Sequence, residues 1–573
     1  MNESKEPLVG ASVVVKGTTN GVLTDENGQF ALSVPNKEAV LVMQFIGYLS
    51  QEVKVGDKTE FIITLESNDK TLGEVVVIGY GTTNRRDILG SVSSVKDKEI
   101  EQTTPVNAFD AIQGRLAGVQ ITSNGGPGLG SDIKIRGTST FSGGVNPLYI
   151  VDGQQLEDID NLNPNDIATI EVLKDGASAA IYGSKSANGV VVITTKAGKV
   201  GDVKFDVDYS NVISSVMSTI PTVTAKERLF YENVRSGSNP NLPPSDSLSL
   251  LFQYSPDLQA LLFRTSNRNQ INATLSGGSS FARYYWGMGV MDEQGVVVNS
   301  SYRRFSSSLK VDTDIKKKLT AGTKLNLSFE LQKGLNEGTV FQQLAERIPY
   351  FPIFEPDGSF TPEIAGRQNS LAEAIKTRRD TRNFRAQSFN FAQLQILPYL
   401  SFKTTLGVNF KLEKLNNFDP TIVQTVGNPA TGSEINNLDH DFQHENYFTF
   451  KKKFANKHNV QAIAGMQLQR WNTENNRLTA TSFLSDNIET FNNVREFNLA
   501  QTNSGKSQHS LLAYFGDLSY DFKGKYLIKG TLRRDGSSRF GSDRRYGTFP
   551  SGSIGWRVSS EKFMQKSLTM CRI

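Results

Sequence analysis

From Phe205 onward the chain alternates apolar and polar residues with a period of two. Leu319, Ala321, Leu325, Leu327, Phe329 and Leu331 share one parity, and Thr320, Gly322, Lys324, Asn326, Ser328 and Glu330 take the other. Leu400, Phe402, Leu406, Val408 and Phe410 oppose Ser401, Lys403, Thr405, Gly407, Asn409 and Lys411 in the same way. Val460, Ala462, Ala464, Met466 and Leu468 oppose Gln461, Gly465, Gln467 and Gln469, with Ile463 the exception. This period predicts strands with one apolar and one polar face. The runs are about ten residues long, enough to cross a bilayer at a tilt, whereas globular strands average nearer five or six. Short turns (314–318, 452–459, 523–525) alternate with long polar stretches such as 236–249 and 419–437. That is the pattern of an outer-membrane barrel, whose closure satisfies every backbone polar group in lipid. Tyr302, Tyr399, Tyr447, Phe448, Tyr546 and Phe549 near strand ends suit interfacial girdles. A large sandwich or solenoid also alternates, and predicts solubility without detergent.

The first 67 residues read differently. An apolar run at Val13–Val15, alternation at Phe30, Leu32 and Val34, a run at 40–45, and alternations at Val53 and Val55 and at Phe61, Ile63 and Leu65 predict a small β-sandwich. Asn27-Gly28 supplies a tight turn. After a polar linker at 67–70, Val75, Val76, Val77 and Ile78 form a short β-branched strand between Gly73 and Gly79. Such a strand is either buried or free to add to another protein's sheet edge. Between 84 and 198, Pro164 and Asp166 open a helical turn, and Ile167, Ile170 and Val172 feed a strand. Ala177, Ala179 and Ala180 make a short helix, Gly183 and Gly189 make tight turns, and 190–193 is a buried strand.

Composition removes several functions. The chain has 573 residues, enough for two to four domains, with 62 Lys+Arg against 58 Asp+Glu and a net charge of +4. A charge that small carries no nucleic-acid footprint. Cys571 is the one cysteine, so no disulfide framework or cysteine zinc site is possible. His440 and His444 share a strand face without an accompanying carboxylate motif, so no metal is expected. The absence of an 18-residue apolar run excludes helical spans but not a barrel. Gly126-Pro127-Gly128-Leu129-Gly130 misses the dinucleotide spacing, and Gly183-Ser184-Lys185 lacks the phosphate-loop spacing from Gly176. With no GxSxG elbow and no carboxylate pair that stands out, no enzyme and no cofactor are expected.

Six stretches carry a resemblance. The run GASVVVKGTTNGVLTDENGQFALSV (11–34 with Gly10) resembles the carboxypeptidase regulatory-like (transthyretin-like) domain, with its first strand absent. Glu74, Val75, Val76, Val77, Ile78, Gly79 and Tyr80 resemble the TonB box of the SusC/RagA family, the starch-utilisation type of TonB-dependent outer-membrane receptor. Between them, AIQGRLAGVQ (111–120), IKIRGT (133–138) with NPLYIVDG (146–153), and LNPNDIATIEVLKD (162–175) running on to Tyr182-Gly183, Asn188-Gly189 and Lys196 resemble that family's plug. The run 532–556 is similar to its barrel.

The resemblance implies a mainly β chain: a small sandwich at 1–67, a box segment at 68–83, an α+β plug at 84–198 and part of a large antiparallel transmembrane barrel, 22-stranded when complete, at 199–573. Only about ten to fourteen strands fit after 199, so the barrel is expected not to close. Residues 1–5 show no signal peptide: the protein is cytoplasmic, or its front is missing. The tail after Ser567 leaves the strand pattern. Together these lead us to expect a fragment.

The implied function is TonB-dependent import of oligosaccharides or peptides across the outer membrane of a Gram-negative, Bacteroidetes-like cell. TonB with its energising ExbB/ExbD complex would pull the box, and a SusD-like surface lipoprotein would cap the barrel. The alternative is a surface receptor or adhesin without transport. The plug-motif residues are Gly114, Arg115, Arg136, Gly137, Asp152, Gly153, Lys174, Asp175, Tyr182, Gly183, Asn188 and Gly189. Arg115, Arg136, Lys174, Asp152 and Asp175 are expected to meet the barrel wall through solvated, weak ion pairs. Substrate-binding residues are not read from the sequence, although Tyr and Trp side chains in loops suit stacking on sugars.

Overall fold

In a computed structural model the described residues are all but 1–6, 9, 19, 26, 46–47, 49, 66–74, 80, 138–143, 238–254, 317, 562 and 565–573. The chain forms two compact units, 1–76 with 82–88, and 77–81 with 89–573.

In the first unit, β1 (Ser12–Val15), β2 (Gly21–Leu23), β3 (Val40–Gln44) and β4 (Gln51–Lys54) form one antiparallel sheet in the order β2-β1-β3-β4. Val13, Val15, Leu41 and Met43 alternate onto a core that also takes Leu65. The strands expected at 30–34 and 61–65 are a correction. Phe30, Leu32, Val34, Phe61 and Ile63 do pack on that core, but their backbones join no ladder. Apolar alternation records which face is buried, not whether the backbone finds a partner strand. β5 (Val75–Ile78) and β6 (Gly81–Asn84) follow. Glu74 and Tyr80 lie outside the described residues, as does the tail from Ser567.

The second unit begins with a small α+β layer. It contains β7 (Val92–Lys96), α1 (Asp97–Glu101), β8 (Val119–Ser123), β9 (Ser131–Ile135), β10 (Leu148–Val151), β11 (Gln154–Leu156), β12 (Ile167–Leu173), α2 (Gly176–Ala179) and β13 (Val190–Thr195). Five strands make one sheet in the order β11-β10-β13-β12-β7, parallel only between β10 and β13, while β8 and β9 pair separately. Two apolar cores lie entirely among these residues, one on each face: Ile100, Ile112, Ile167 and Ile193 in the first, Leu148, Leu173, Ile181 and Val190 in the second. The helical turn expected from Pro164 and Asp166 is a 3-10 turn at Pro164–Asp166, the short helix expected around Ala177, Ala179 and Ala180 is α2 at 176–179, and Gly183 (φ 79°) and Gly189 (φ 90°) supply the positive φ of their turns.

Thirteen strands among the described residues then form one antiparallel sheet. They are β14 (Gly201–Ser214), β15 (Ser266–Gly278), β16 (Ala282–Gln294), β17 (Ser301–Ile315), β18 (Leu319–Lys333), β19 (Arg378–Leu397), β20 (Leu400–Asp419), β21 (Thr431–Phe454), β22 (His458–Phe483), β23 (Val494–Phe497), β24 (Asn503–Phe522), β25 (Tyr526–Ser537) and β26 (Tyr546–Trp556). Each pairs with the next in sequence, except that β22 pairs with both β23 and β24. Turns at 279–281, 398–399, 455–457 and 523–525, with the short link from β17 to β18, join one set of ends. Longer connections join the other set and carry α3 (Ala225–Arg235), α4 (Leu258–Leu262), α5 (Glu337–Glu346) and α6 (Ser370–Lys376).

The burial along these strands is inverted relative to a water-soluble sheet. On β18 the buried residues are Lys324, Asn326, Ser328 and Glu330, while Leu325, Leu327 and Phe329 stand 37–39 % exposed. Trp286, Met288 and Val290 on β16 and Leu406 and Val408 on β20 are exposed in the same way. A sheet that hides polar residues and shows leucine is stable only where the outer solvent is lipid. Ile463, the exception to the alternation, faces inward and packs on Tyr447 and Phe515.

Three details correct the sequence reading. Most strands exceed ten residues, with β21 at 24 and β22 at 26. The segment expected as a loop at 419–437 is a loop only at 420–430, because β21 already begins at Thr431. Polar residues on both faces look like a loop in sequence, yet in β21 they are paired backbone. Tyr302 and Tyr447, expected in girdles, are buried on the inner face.

Candidate functional site

The inward polar face of the sheet and the small α+β layer meet through hydrogen bonds and ion pairs between named side chains. The two-residue turn joining β10 to β11 needs positive φ at both positions, and Asp152 (φ 50°) and Gly153 (φ 98°) supply it. The Asp152 carboxylate accepts from the Thr195 N–H at 2.9 Å and its hydroxyl at 2.5 Å, and pairs with Lys324 of β18 at 2.7 Å. Burial pushes Asp152 up. The ammonium groups of Lys324 and Lys310, with the Thr195 hydroxyl, more than reverse that and hold it below the usual carboxylate range.

Farther along, Arg385 of β19 donates both arms of its guanidinium to Asp158, at 2.5 and 2.6 Å, and reaches Asn161 at 2.6 Å. Burial raises the neighbouring Asp160, and the charges of Asp158 and Glu330 add to it, so its carboxyl is pushed up to about 6. Tyr285 donates to Asp166 at 2.8 Å, and Asn163 donates to Asn272 at 2.9 Å. Gln443 accepts from the Gln155 N–H at 2.9 Å, and Gln469 donates to the Gln155 side chain at 3.0 Å.

On β25, Arg533 is 1 % exposed. It donates to the Ile181 carbonyl at 2.8 Å, to Gln467 at 2.6 Å and to Asp535 at 2.6 Å. Asp535 accepts in turn from the Ser184 N–H at 3.1 Å. Gly183 sits between them because a Cβ there would lie 2.2 Å from the Asp535 carboxylate.

These contacts correct the expectation of weak, solvated pairs. Of the five charges named, only Asp152 bridges to the sheet in these contacts, and its pair is buried. Lys174 bonds Ser93 at 2.6 Å and the Ala117 carbonyl, and Asp175 caps α2 through the Ser178 N–H at 2.9 Å. Arg115 and Arg136 are exposed. Arg136, with positive φ, closes a backbone bond from its N–H to the Gly118 carbonyl at 2.8 Å. Asn188 ties Gly144 and Asn146, and a Cβ on Gly189 would lie 2.7 Å from Ile135. Gly114 and Gly137 have open space around them. Most of the motif therefore shapes local turns. Sequence reasoning missed the wall partners Arg385, Arg533, Tyr285 and Gln443. They all lie on the polar parity of their strands, and that parity was the one available signal.

Above this interface lies a cavity of about 180 Å³ lined by Glu157, Asp158, Arg385, Lys411, Asp441 and Arg539, among others. Trp471 is also in its wall. It is stacked on His509 (4.6 Å, 10°) with the Lys185 ammonium 3.7 Å from its ring centre, and so is itself buried. Burial pulls Lys185 down to about 8, against the opposing charge of Glu157. None of the three tryptophans lies in a loop: Trp286 and Trp556 are on strands β16 and β26 and exposed on their surface.

Comparison with known proteins agrees with this architecture. Residues 84–190 match the TonB-dependent receptor plug domain, and residues 1–77 match the CarboxypepD_reg-like domain. The chain is 44 % identical over 567 residues to TonB-dependent receptor P39 of Formosa agariphila, covering 99 % of this chain and 55 % of that protein. It is 30 % identical over 611 residues to TonB-dependent receptor SusC of Bacteroides thetaiotaomicron, covering 98 % and 58 %. The chain thus spans little more than half the length of these curated relatives. Among solved structures, the RagAB peptide importer in its open-open state superposes with a TM-score of 0.74 at 24 % identity, over 86 % of this chain and 59 % of that one, which speaks for the fold. The chain belongs to the TonB-dependent receptors of the SusC/RagA type, outer-membrane β-barrel proteins with an internal plug.

Proposed function

We propose that this chain is the plug-bearing part of a TonB-dependent importer of oligosaccharides or peptides. Its functional divisions are 1–67, 68–83, 84–198 and 199–573, and residues 74–80 are the strand that TonB takes up. One observation carries the reading. The plug keeps both apolar cores to itself and meets the wall through polar contacts, so it can shift without exposing a core to water. The wall contacts are nonetheless strong: each bond to a charged group is worth about 1.5–3 kcal/mol. Displacement therefore needs work from outside, and the outer membrane holds neither nucleotide nor ion gradient. TonB, energised by ExbB/ExbD, supplies it by pairing with the strand and pulling.

The RagAB structure is that of a peptide importer. By that likeness a SusD-like lipoprotein covers the outer end, and ligand rests against the charged cavity beside Glu157 and Arg539 before the plug moves. The test deletes residues 74–80 and follows labelled peptide and oligosaccharide mixtures in cells. Surface binding should persist while entry to the periplasm stops. Continued entry overturns the reading, and a wild-type chain that binds ligand without admitting it marks a surface receptor instead.

A further inference from the structure

The stretch 181–184 of the plug is gripped from two sides. From one side comes Gly79, directly after β5. Its N–H donates to the buried Tyr182 hydroxyl at 3.0 Å, and a Cβ built on it would lie 3.1 Å from the Ile181 side chain. Gly79 holds φ 62°, so the chain bends sharply there. From the other side comes the wall: Arg533 takes the Ile181 carbonyl, and Asp535 takes the Ser184 N–H. Arg533 is itself anchored by Gln467, which donates on to Glu445 at 2.8 Å, and Glu445 accepts from Gln443 at 2.9 Å.

We propose that Tyr182 and Arg533 are the coupling residues of this receptor. Residues 181–184 form one clamp that holds the end of the box strand and the plug to the wall together, so that loosening either side loosens the other. The claim rests on residues 74–80 being the pulled segment for its meaning in transport, but not for its test. The coupling is local and mechanical. Ile181 presents its side chain to Gly79 and its carbonyl to Arg533, so a shift of that one residue breaks both contacts. Gly183 makes the clamp possible, because any side chain there would drive Asp535 and Arg533 apart.

Hydrogen exchange by mass spectrometry on the full chain in detergent micelles tests this without any transport assay. Tyr182→Phe removes the acceptor for Gly79, so faster exchange at 75–79 is the trivial result. The informative one is faster exchange at 181–184. Arg533→Gln is the reciprocal variant. It should speed exchange at 181–184 and also at Gly79, by roughly tenfold, the size of one lost bond to a charged group. Arg533→Lys, which keeps the charge but cannot span the same partners, should fall between. Unchanged exchange in β17 to β20 certifies that the sheet is folded. If Arg533→Gln loosens 181–184 and leaves Gly79 at its wild-type rate, the two grips are independent and the proposal is wrong. The proposal of import stands or falls separately, on the deletion experiment.

Discussion

Lys324 and Asp152 show what a single pair contributes at this interface. Both are nearly inaccessible, and the carboxylate has its remaining lone pairs filled by Thr195. Removing Lys324 leaves Asp152 with Lys310 alone, at 3.9 Å, and breaking a buried pair costs up to about 3–5 kcal/mol, whereas replacing both partners is far cheaper. Lys324→Met should therefore weaken seating of the plug by that amount, and Asp152→Asn combined with Lys324→Met should recover most of it. Fluorescence of Trp471, which sits against Lys185 of the plug, reports the seating during a urea titration. Equal loss in the single and double variants would show that the pair is not what holds the turn.

At the scale of elements, the strands are defined by what they expose. Leu327 on β18 stands outward between Ser328 and Asn326, which are buried. An arginine on the lipid face of a barrel costs about 2–4 kcal/mol at the bilayer midplane, and near nothing at the interfaces. Leu327→Arg should destabilise insertion into lipid vesicles by an amount in that range, measured by reversible unfolding in denaturant. A neutral result would mean that this face does not meet acyl chains. The long connections behave as elements too. Leu262, Val340, Leu344, Ile353, Leu371 and Ala374, drawn from α4, α5, α6 and the chain between, share an apolar core. Arg347 fastens it by donating to the carbonyls of Pro352, Arg367 and Gln368.

At the scale of the whole molecule, the sum of buried carboxylates gives plug seating a pH dependence. Asp160 binds its proton more tightly when seated, at about 6 against an ordinary 3.8, so the seated state gains stability as pH falls from 7 through 6. Asp152 and Asp158 are depressed, so their contribution is full above 3.8 and is lost only below it. Burial also raises Asp166, which faces Tyr285 of the wall, so between pH 7 and 5 seating followed by Trp471 should tighten, an effect that Asp160→Asn weakens. No change across that interval would refute the assignment.

Chain order and residue pattern alone determined the class of this protein. Period-two alternation gave the strands, though not their full length or every end, and the motifs from Ala111 to Lys196 gave the plug, because each depends on neighbours a few residues away. What only the tertiary structure decided was direction and partnership. Alternation names two faces without saying which is wet, and the burial of Lys324 beneath exposed Leu325 settles it. Arg533 and Ile181 are 352 residues apart, as are no two positions whose pairing a local pattern could reveal, and a buried arginine reads in sequence like any surface one until its carbonyl partner is in place.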